Sequence, residues 1–233
     1  MKKNKKIGII VADIDEFRPL AEKITKGAHV KETFLKRDKL SFMPDGFTQI
    51  IAIHCGIGKV NAAAAAAHLA DIGCDAVFNY GLSGGISGVR RGDMFLGTEF
   101  LEHDFDLTMI GYKPCEKPGQ TYIYKSDKRL NELVKSLMPD IKQGTAVSGD
   151  RFICSDADRS FFKDKFGAMS CDMETAAIAF VCEYASVPFA CVRRISDDAG
   201  ADAAESYREM NSSAETDLAD FTLECACKAA EII

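Results

Sequence analysis

Short apolar runs rich in strand-forming residues alternate along this chain with helical patterns, and several of the runs are apolar on both faces. A strand with two apolar faces must be covered on both sides. The pattern therefore predicts an α/β fold, a mixed central sheet flanked by helices in a three-layer arrangement. Predicted strands are Ile7–Ala12, Thr48–His54, Ala76–Tyr80, Met94–His103, Gly144–Ser148 and Phe189–Ser196. Predicted helices are Asp15–Lys26, Lys59–Ile72, Asp127–Met138, Glu174–Ala185 and Ala214–Ile232. Pro44-Asp45-Gly46 is turn chemistry, so an antiparallel hairpin is expected within residues 30–54, which makes the sheet mixed. Ala214, Leu218, Phe221, Cys225 and Ile232 form one stripe on the last helix, expected to dock on the sheet. Pro114, Pro118 and Gly119 mark a loop within residues 111–121. The alanines of Ala62–Ala67 allow close packing of their helix. With no linker composition and no internal repeat, residues 1–233 are expected to form one domain.

A chain of this length buries roughly 70% of its unfolded surface and needs no staples. The net charge of −6 and pI near 5.3 argue against a nucleic-acid partner, which calls for a basic patch. No apolar run approaches a membrane span. The run after the N-terminal lysines is too short for a signal segment, and acids follow it at once, so it is read as a first buried strand. The nine cysteines are odd in number and include no Cys-x-x-Cys. With four scattered histidines they offer no metal-ligand spacing. They are read as buried reduced thiols in a reducing, cytoplasmic compartment.

Two stretches carry acids to element edges: Cys171-Asp172-Met173-Glu174-Thr175-Ala176-Ala177, a strand running into a helix, and Val192-Arg193-Arg194-Ile195-Ser196-Asp197-Asp198, an apolar strand ending in carboxylates. Open α/β sheets bind small molecules beyond the carboxyl ends of their strands, and two acids delivered there suit acid-assisted bond cleavage. For an isolated acid a helix cap or a solvated turn is the usual explanation; it loses ground here because further matching segments surround the pair. Gly56-Ile57-Gly58-Lys59-Val60 opens the alanine-rich helix, where a helix N-terminus favours anions or lone pairs; a tight turn explains it equally well. It lacks the phosphate-loop Gly-Lys-Ser/Thr and the third glycine of a dinucleotide fingerprint. Asn79-Tyr80-Gly81-Leu82-Ser83-Gly84-Gly85 is a second glycine-rich turn, either a bend or a site wall. Phe152, after Ser148-Gly149-Asp150-Arg151, either stacks on a flat heterocycle or belongs to the core.

Taken in order, these segments resemble the purine nucleoside phosphorylase-type superfamily, and within it the 5′-methylthioadenosine/S-adenosylhomocysteine nucleosidases. The resemblance spans nearly the whole chain: Lys6-Ile7-Gly8-Ile9-Ile10, Gly56 to Val60, Gly84-Gly85, His103-Asp104, Gly111-Tyr112, Ser148-Gly149-Asp150 with Phe152-Ile153, Met173-Glu174, and Arg193 with Ile195-Ser196-Asp197. It implies a nucleoside phosphorylase-like, partly barrel-like sheet and hydrolysis of the bond between adenine and ribose. By that resemblance Asp197 protonates the purine N7 and Glu16 activates water. Glu174 holds the ribose hydroxyls, Met173 packs on the sugar, and Arg193 helps place the water. Phe152 and Ile153 hold the adenine, and Tyr207 lies over the 5′ substituent. Ile57, Leu82 and Ser196 complete the substrate-binding set. An acid that donates near neutral pH must be raised from about 4 by burial, and the logic parallels glycoside hydrolysis. The resemblance implies no cofactor and no metal, and a homodimer whose partner loop closes the pocket; the loop around Ile110–Pro118 is the candidate.

Three residues depart from the family pattern. Leu82 stands where a serine is usual, Asp13 where a methionine packs near the ribose, and Arg194 where a small residue follows Arg193. Arg194 is expected on the opposite face of its strand. A phosphorylase is the nearest rival, and it needs arginines around phosphate. Asn79 occupies the place of one such arginine, which favours water, while Arg18, Arg90 and Arg91 keep the rival open. A non-catalytic nucleoside-binding module is the other alternative, motivated by Leu82 and Asp13.

Overall fold

The computed structural model describes residues 4–200, 202–209 and 212–233, the side chains of 212–215 excepted. Ten strands form one mixed sheet: β1 (Lys5–Val11), β2 (His29–Phe34), β3 (Arg37–Phe42), β4 (Thr48–His54), β5 (Ala76–Gly85), β6 (Met94–Glu102), β7 (Tyr124–Lys125), β8 (Lys142–Ser148), β9 (Ala168–Asp172) and β10 (Phe189–Asp197). The order β10-β6-β8-β9-β5-β1-β4-β3-β2 has an additional β10–β5 pairing, and β7 pairs with β6. That extra pairing closes β5, β10, β6, β8 and β9 into a five-stranded ring, with β1 to β4 as an open wing. β1 runs parallel to both β4 and β5. β3 runs antiparallel to β4, the expected hairpin. At its turn, Asp45 accepts from the Phe47 and Thr48 N–H groups.

Helices cover both faces: α1 (Ile14–Thr25), α2 (Lys59–Asp71), α3 (Lys128–Leu137), α4 (Asp156–Phe166), α5 (Thr175–Tyr184), α6 (Ala203–Arg208) and α7 (Ser212–Ala229). One core joins α1, α3 and α7 to the sheet through Phe17, Leu20, Phe78, Tyr80 and Leu218. A second joins α2 and α5 through Ala62, Ala65, Ala66, Leu69 and Ile178. The small side chains of the alanine run are what permit that close approach. A third, smaller cluster holds α4 against β9 through Phe162 and Ala168. Among the described residues no helix is long and apolar enough to cross a membrane. All cysteines but Cys154 and Cys227 are buried.

The predicted elements recur within one to three residues of their ends, except at one strand. The glycine-rich segment expected to turn after Tyr80 continues as β5 through Gly85. Its glycines do not bend the chain; they make room for side chains of the site. On the last helix the stripe holds at Leu218 and Cys225, but Ile232 lies beyond the helix and is exposed. Ala214 lies outside the described side chains. α4, α6 and β7 were not anticipated. α4 does carry start and stop signals: Ser155 accepts from the Asp158 N–H, and Gly167 ends the helix in the left-handed region.

Candidate active site

Every residue proposed from the sequence for the site lines one cavity of about 230 Å³ at the carboxyl ends of β1, β5, β9 and β10. These are Glu16, Ile57, Leu82, Phe152, Ile153, Met173, Glu174, Arg193, Ser196, Asp197 and Tyr207. Asp13, Ser83, Arg151 and Asp172 join them.

Asp197 owes its place to an irregularity in β10. Ile195 is paired with Ser83 and Asp197 with Gly84, so Ser196 is the extra residue of a bulge. Such a bulge re-aims the next side chain. The Asp197 carboxylate accepts from Ser196 Oγ at 2.7 Å and from the Ala199 N–H at 2.8 Å. Ala199 presents that N–H from a left-handed turn, φ 52°. Burial raises Asp197 above the ordinary carboxylate value, against both hydrogen bonds.

Glu16 sits in the first turn of α1, whose N-cap Asp13 accepts from the Asp15 N–H at 2.7 Å. The Tyr80 hydroxyl donates to the Glu16 carbonyl at 3.0 Å, and the Leu82 N–H donates to Glu16 Oε1 at 3.0 Å. A Cβ on Gly81 would lie 2.5 Å from Arg193 Nη1 and 2.6 Å from Glu16 Oε2, so glycine is what admits both groups. On Gly84 a Cβ would meet Asp197 Oδ1 at 3.0 Å. Glu16 and Asp197 therefore touch the same strand at points three residues apart, roughly 10 Å along its axis.

The same cavity is lined by Asp172, the centre of a buried polar network. Its Oδ1 accepts from Ser148 Oγ at 2.6 Å and from the Glu174 and Thr175 N–H groups, both at 3.0 Å, which caps α5. Its Oδ2 pairs with Arg193 at 3.2 Å and accepts from the Thr175 hydroxyl. Arg193 also donates to Asn79 Oδ1 at 2.7 Å. Glu174 Oε1 accepts from the Gly58 N–H at 2.8 Å, and Asp150 Oδ1 from the Lys59 N–H at 2.8 Å. The N-terminus of α2 thus meets the protein's own carboxylates, rather than being left open to a ligand anion.

One guanidinium serves three buried acids, and it does not serve them equally. Burial pushes Asp172 up, yet Arg193 and the Ser148 and Thr175 hydrogen bonds hold it below the ordinary value. Burial raises Glu16 to about 8, with Arg193 and the Leu82 N–H opposing and Glu174 adding to the rise. Burial raises Glu174 to about 7, with Arg193 opposing and Asp172 adding. Burial thus favours the protonated forms of Glu16 and Glu174, whereas Arg193 favours the ionised form of Asp172.

The walls follow expectation in part. Ile153 is buried, while Phe152 is 42% exposed and meets Tyr207 edge-on, ring centroids 5.8 Å apart, so Phe152 is not a core residue. The Leu82 side chain is buried in the wall, and its contact with Glu16 comes from the backbone. Arg194 leaves the site, donating to the Gly92 carbonyl at 3.2 Å. Of the arginines that kept a phosphate site open, Arg18 pairs with Asp15 and Arg91 with Glu209 on the surface, and neither they nor Arg90 line the cavity. For Asp172 the helix-cap reading holds, and its further role as the partner of Arg193 goes beyond it; its position two residues before Glu174, at a strand-to-helix edge, is the available signal.

The phosphorylase superfamily model matches residues 6–228. The 5′-methylthioadenosine/S-adenosylhomocysteine nucleosidase of Geobacillus sp. WCH70 is 34% identical over 226 residues, 94% of this chain and 96% of that relative. The aminodeoxyfutalosine nucleosidase of Campylobacter jejuni is 30% identical over 214 residues, 88% and 91% of the two chains. A crystal structure of the Helicobacter pylori 5′-methylthioadenosine/S-adenosylhomocysteine nucleosidase is also similar, with TM-score 0.91 and 25% identity over 97% of this chain and 99% of that one. Its ligand is a pyrrolidinol bearing an amino-pyrrolopyrimidine and a propynylthio group. The chain belongs to the phosphorylase superfamily and, within it, to the 5′-methylthioadenosine/S-adenosylhomocysteine nucleosidase family.

Proposed function

We propose that the protein hydrolyses the N-glycosidic bond of adenine nucleosides such as 5′-methylthioadenosine and S-adenosylhomocysteine, releasing adenine. The observation that carries this reading is the placement of Glu16 and Asp197 at separate points along β5, in one cavity that Glu174 and Arg193 also line. In this mechanism protonated Asp197 donates to the purine N7 as the C1′–N9 bond breaks and its electrons pass to the base. The sugar gains oxocarbenium character, water attacks C1′, and Glu16 takes the water's proton. Glu16 acts as the carboxylate, and its charge and that of the Glu174 carboxylate attract the positive charge forming on the sugar, so both stabilise the transition state more than the bound substrate. Glu174 binds the ribose hydroxyls, Met173 packs on the ring, Phe152 and Ile153 hold the base, Leu82 lies beside the sugar, Tyr207 lies over the 5′ substituent, and Ile57 completes the wall. Ser83 Oγ and Arg193 Nε are buried without partners among the described residues, leaving a hydroxyl and an N–H for substrate or water.

Water is favoured over phosphate because the two arginines of the cavity are engaged, Arg193 with Asp172 and Arg151 with Asp158 at 3.0 Å. The amino-pyrrolopyrimidine, basic ring and thioether of the ligand in the related structure match a base, a cationic sugar and a 5′-thio tail. In the same reading the enzyme acts in the cytoplasm in methionine salvage, as a homodimer. Supporting the dimer, Met109 and Ile110 stand 95% and 70% exposed on the loop after β6, too apolar to be left in water without reason. Sedimentation at assay concentration tests it, and a monomer there counts against it.

Asp197→Asn is expected to slow adenine release about 10²- to 10⁴-fold, the usual worth of a general acid, while nucleoside affinity stays within a few-fold. Adenine release by chromatography and calorimetric binding check the two halves. Undiminished turnover refutes the role of Asp197, and ribose 1-phosphate formed only with phosphate refutes hydrolysis.

A further inference from the structure

The wall that holds the base in the nucleoside reading has no backbone hydrogen bonds of its own. Among the described residues, the Phe152 and Ile153 backbones bond to nothing else in the chain. Their place is set from the two ends of the segment, by α4 on one side and by Asp150 on the other. The Asp150 N–H donates to Asp104 Oδ2 at 2.9 Å, and Asp150 Oδ1 accepts from the Lys59 N–H at 2.8 Å. The Lys59 ammonium closes the circuit by donating to Asp104 Oδ1 at 2.6 Å. One residue that opens α2, one just past β6 and one just past β8 thus form a ring of charge-assisted bonds, the strong kind.

The ring is braced from behind. Lys59 Nζ also donates to Glu102 Oε2 at 2.9 Å, and Glu102 pairs in turn with Lys117. The Lys117 ammonium lies over the rings of Phe105, Tyr124 and Phe180, at 5.3, 5.7 and 5.2 Å from their centroids. The side chains of these two lysines and two acids are between 11% and 28% exposed, so salt screens them less than surface pairs. His103 packs its ring against Gly149, where a Cβ would lie 2.4 Å from Cε1. The Gly58 N–H, one residue before Lys59, holds Glu174 Oε1 at 2.8 Å. Two consecutive N–H groups therefore fix the sugar acid and the base wall against one rigid helix. The Lys59–Asp104 pair keeps Asp150 on the second of them.

We infer that Lys59 and Asp104 are positioning residues, which hold the wall of Phe152 and Ile153 in register with Glu174 so that base and sugar are gripped at one spacing. Neither lines the cavity; both act through Asp150. The inference rests on the nucleoside reading above and adds these two residues to it. A loosened wall grips substrate and transition state less well by the same amount, which raises KM and leaves kcat. Bonds of a network cannot be apportioned one at a time, so a double-mutant cycle is the measure.

The test reads kcat and KM for 5′-methylthioadenosine, and Kd for adenine by calorimetry, in wild type, Lys59→Met, Lys59→Arg and Asp104→Asn. KM and Kd are expected to rise about tenfold in Lys59→Met and in Asp104→Asn, with kcat within about threefold of wild type. Lys59→Arg keeps a cation that can span Glu102 and Asp104, and should bring both constants back to within about threefold of wild type. In a Phe152→Ala background the effect of Lys59→Met should shrink to about twofold or less, because the wall it acts through is gone. A merely structural pair would lower the unfolding midpoint and leave KM and Kd in place. That result, or a rise that persists undiminished beside Phe152→Ala, overturns the proposal. If Lys59→Met does not fold, Asp104→Asn, which keeps the shape, is read by the same criteria. If no nucleoside releases adenine, the hydrolase reading fails, and the adenine Kd with its Phe152→Ala cycle decides the positioning role alone. Adenine that does not bind wild type overturns both.

Discussion

Glu16 shows how a reactive group costs the fold stability. Its carboxyl has an ordinary value of 4.5 and sits at about 8 in the folded protein, chiefly through burial. Between those values the unfolded chain has released a proton that the folded protein keeps, so folding stability falls as pH rises from about 4.5 toward 8. Asp172 has the opposite sign: held below the ordinary value by Arg193, it contributes stability that is lost as pH falls through its folded value. Glu16→Gln keeps the shape and removes the titration. The variant is expected to unfold about 5 °C higher than wild type at pH 8 and within a degree of it at pH 4, while losing most turnover. Thermal unfolding at the two pH values checks this, and a variant no more stable than wild type at pH 8 contradicts it. Function placed against stability in this way is common at active sites.

β5 carries the clearest gap between sequence pattern and fold. Gly81, Gly84 and Gly85 look like a turn because glycine is depleted from strand interiors. Their use here is spatial, because the site's side chains fill the volume a Cβ would take. Gly81→Ala therefore should displace Arg193 and Glu16 without unmaking the sheet. We expect kcat to fall at least 10²-fold with the far-ultraviolet circular dichroism unchanged; wild-type kcat in that variant contradicts the crowding. Periodicity did reveal β1, β4, β10, α2 and α5, whose buried faces repeat over many residues. It missed α4, whose buried contribution centres on Phe162, and α6, only six residues long. The bulge at Ser196 leaves no local trace, because it is a register shift between strands more than a hundred residues apart in sequence. The acids were found by resemblance in order and spacing; Asp172 as the hub of the network was not, because its partners Ser148, Thr175 and Arg193 meet only in three dimensions.

Closure of the five-stranded ring follows the same logic over the full chain. Short-range pattern predicts that strands exist, but not that β10 pairs with both β5 and β6. The cavity depends on those pairings, since its walls come from residues as far apart as Ala12 and Tyr207. A ligand bound there joins the wing to the ring, and α6 to both, so its binding energy opposes unfolding of the whole. At a concentration of 100 times Kd such a ligand adds about 2.7 kcal/mol. For a protein of this size each kcal/mol is worth about 2–4 °C. A non-hydrolysable adenine nucleoside analogue is therefore expected to raise the unfolding midpoint by about 5–10 °C in a single transition. Free adenine spans only the Asp197 end and should do less at the same concentration. Differential scanning calorimetry distinguishes the outcomes: two separate transitions, or a shift of the same size from adenine alone, would mean that wing and ring are not coupled through the site.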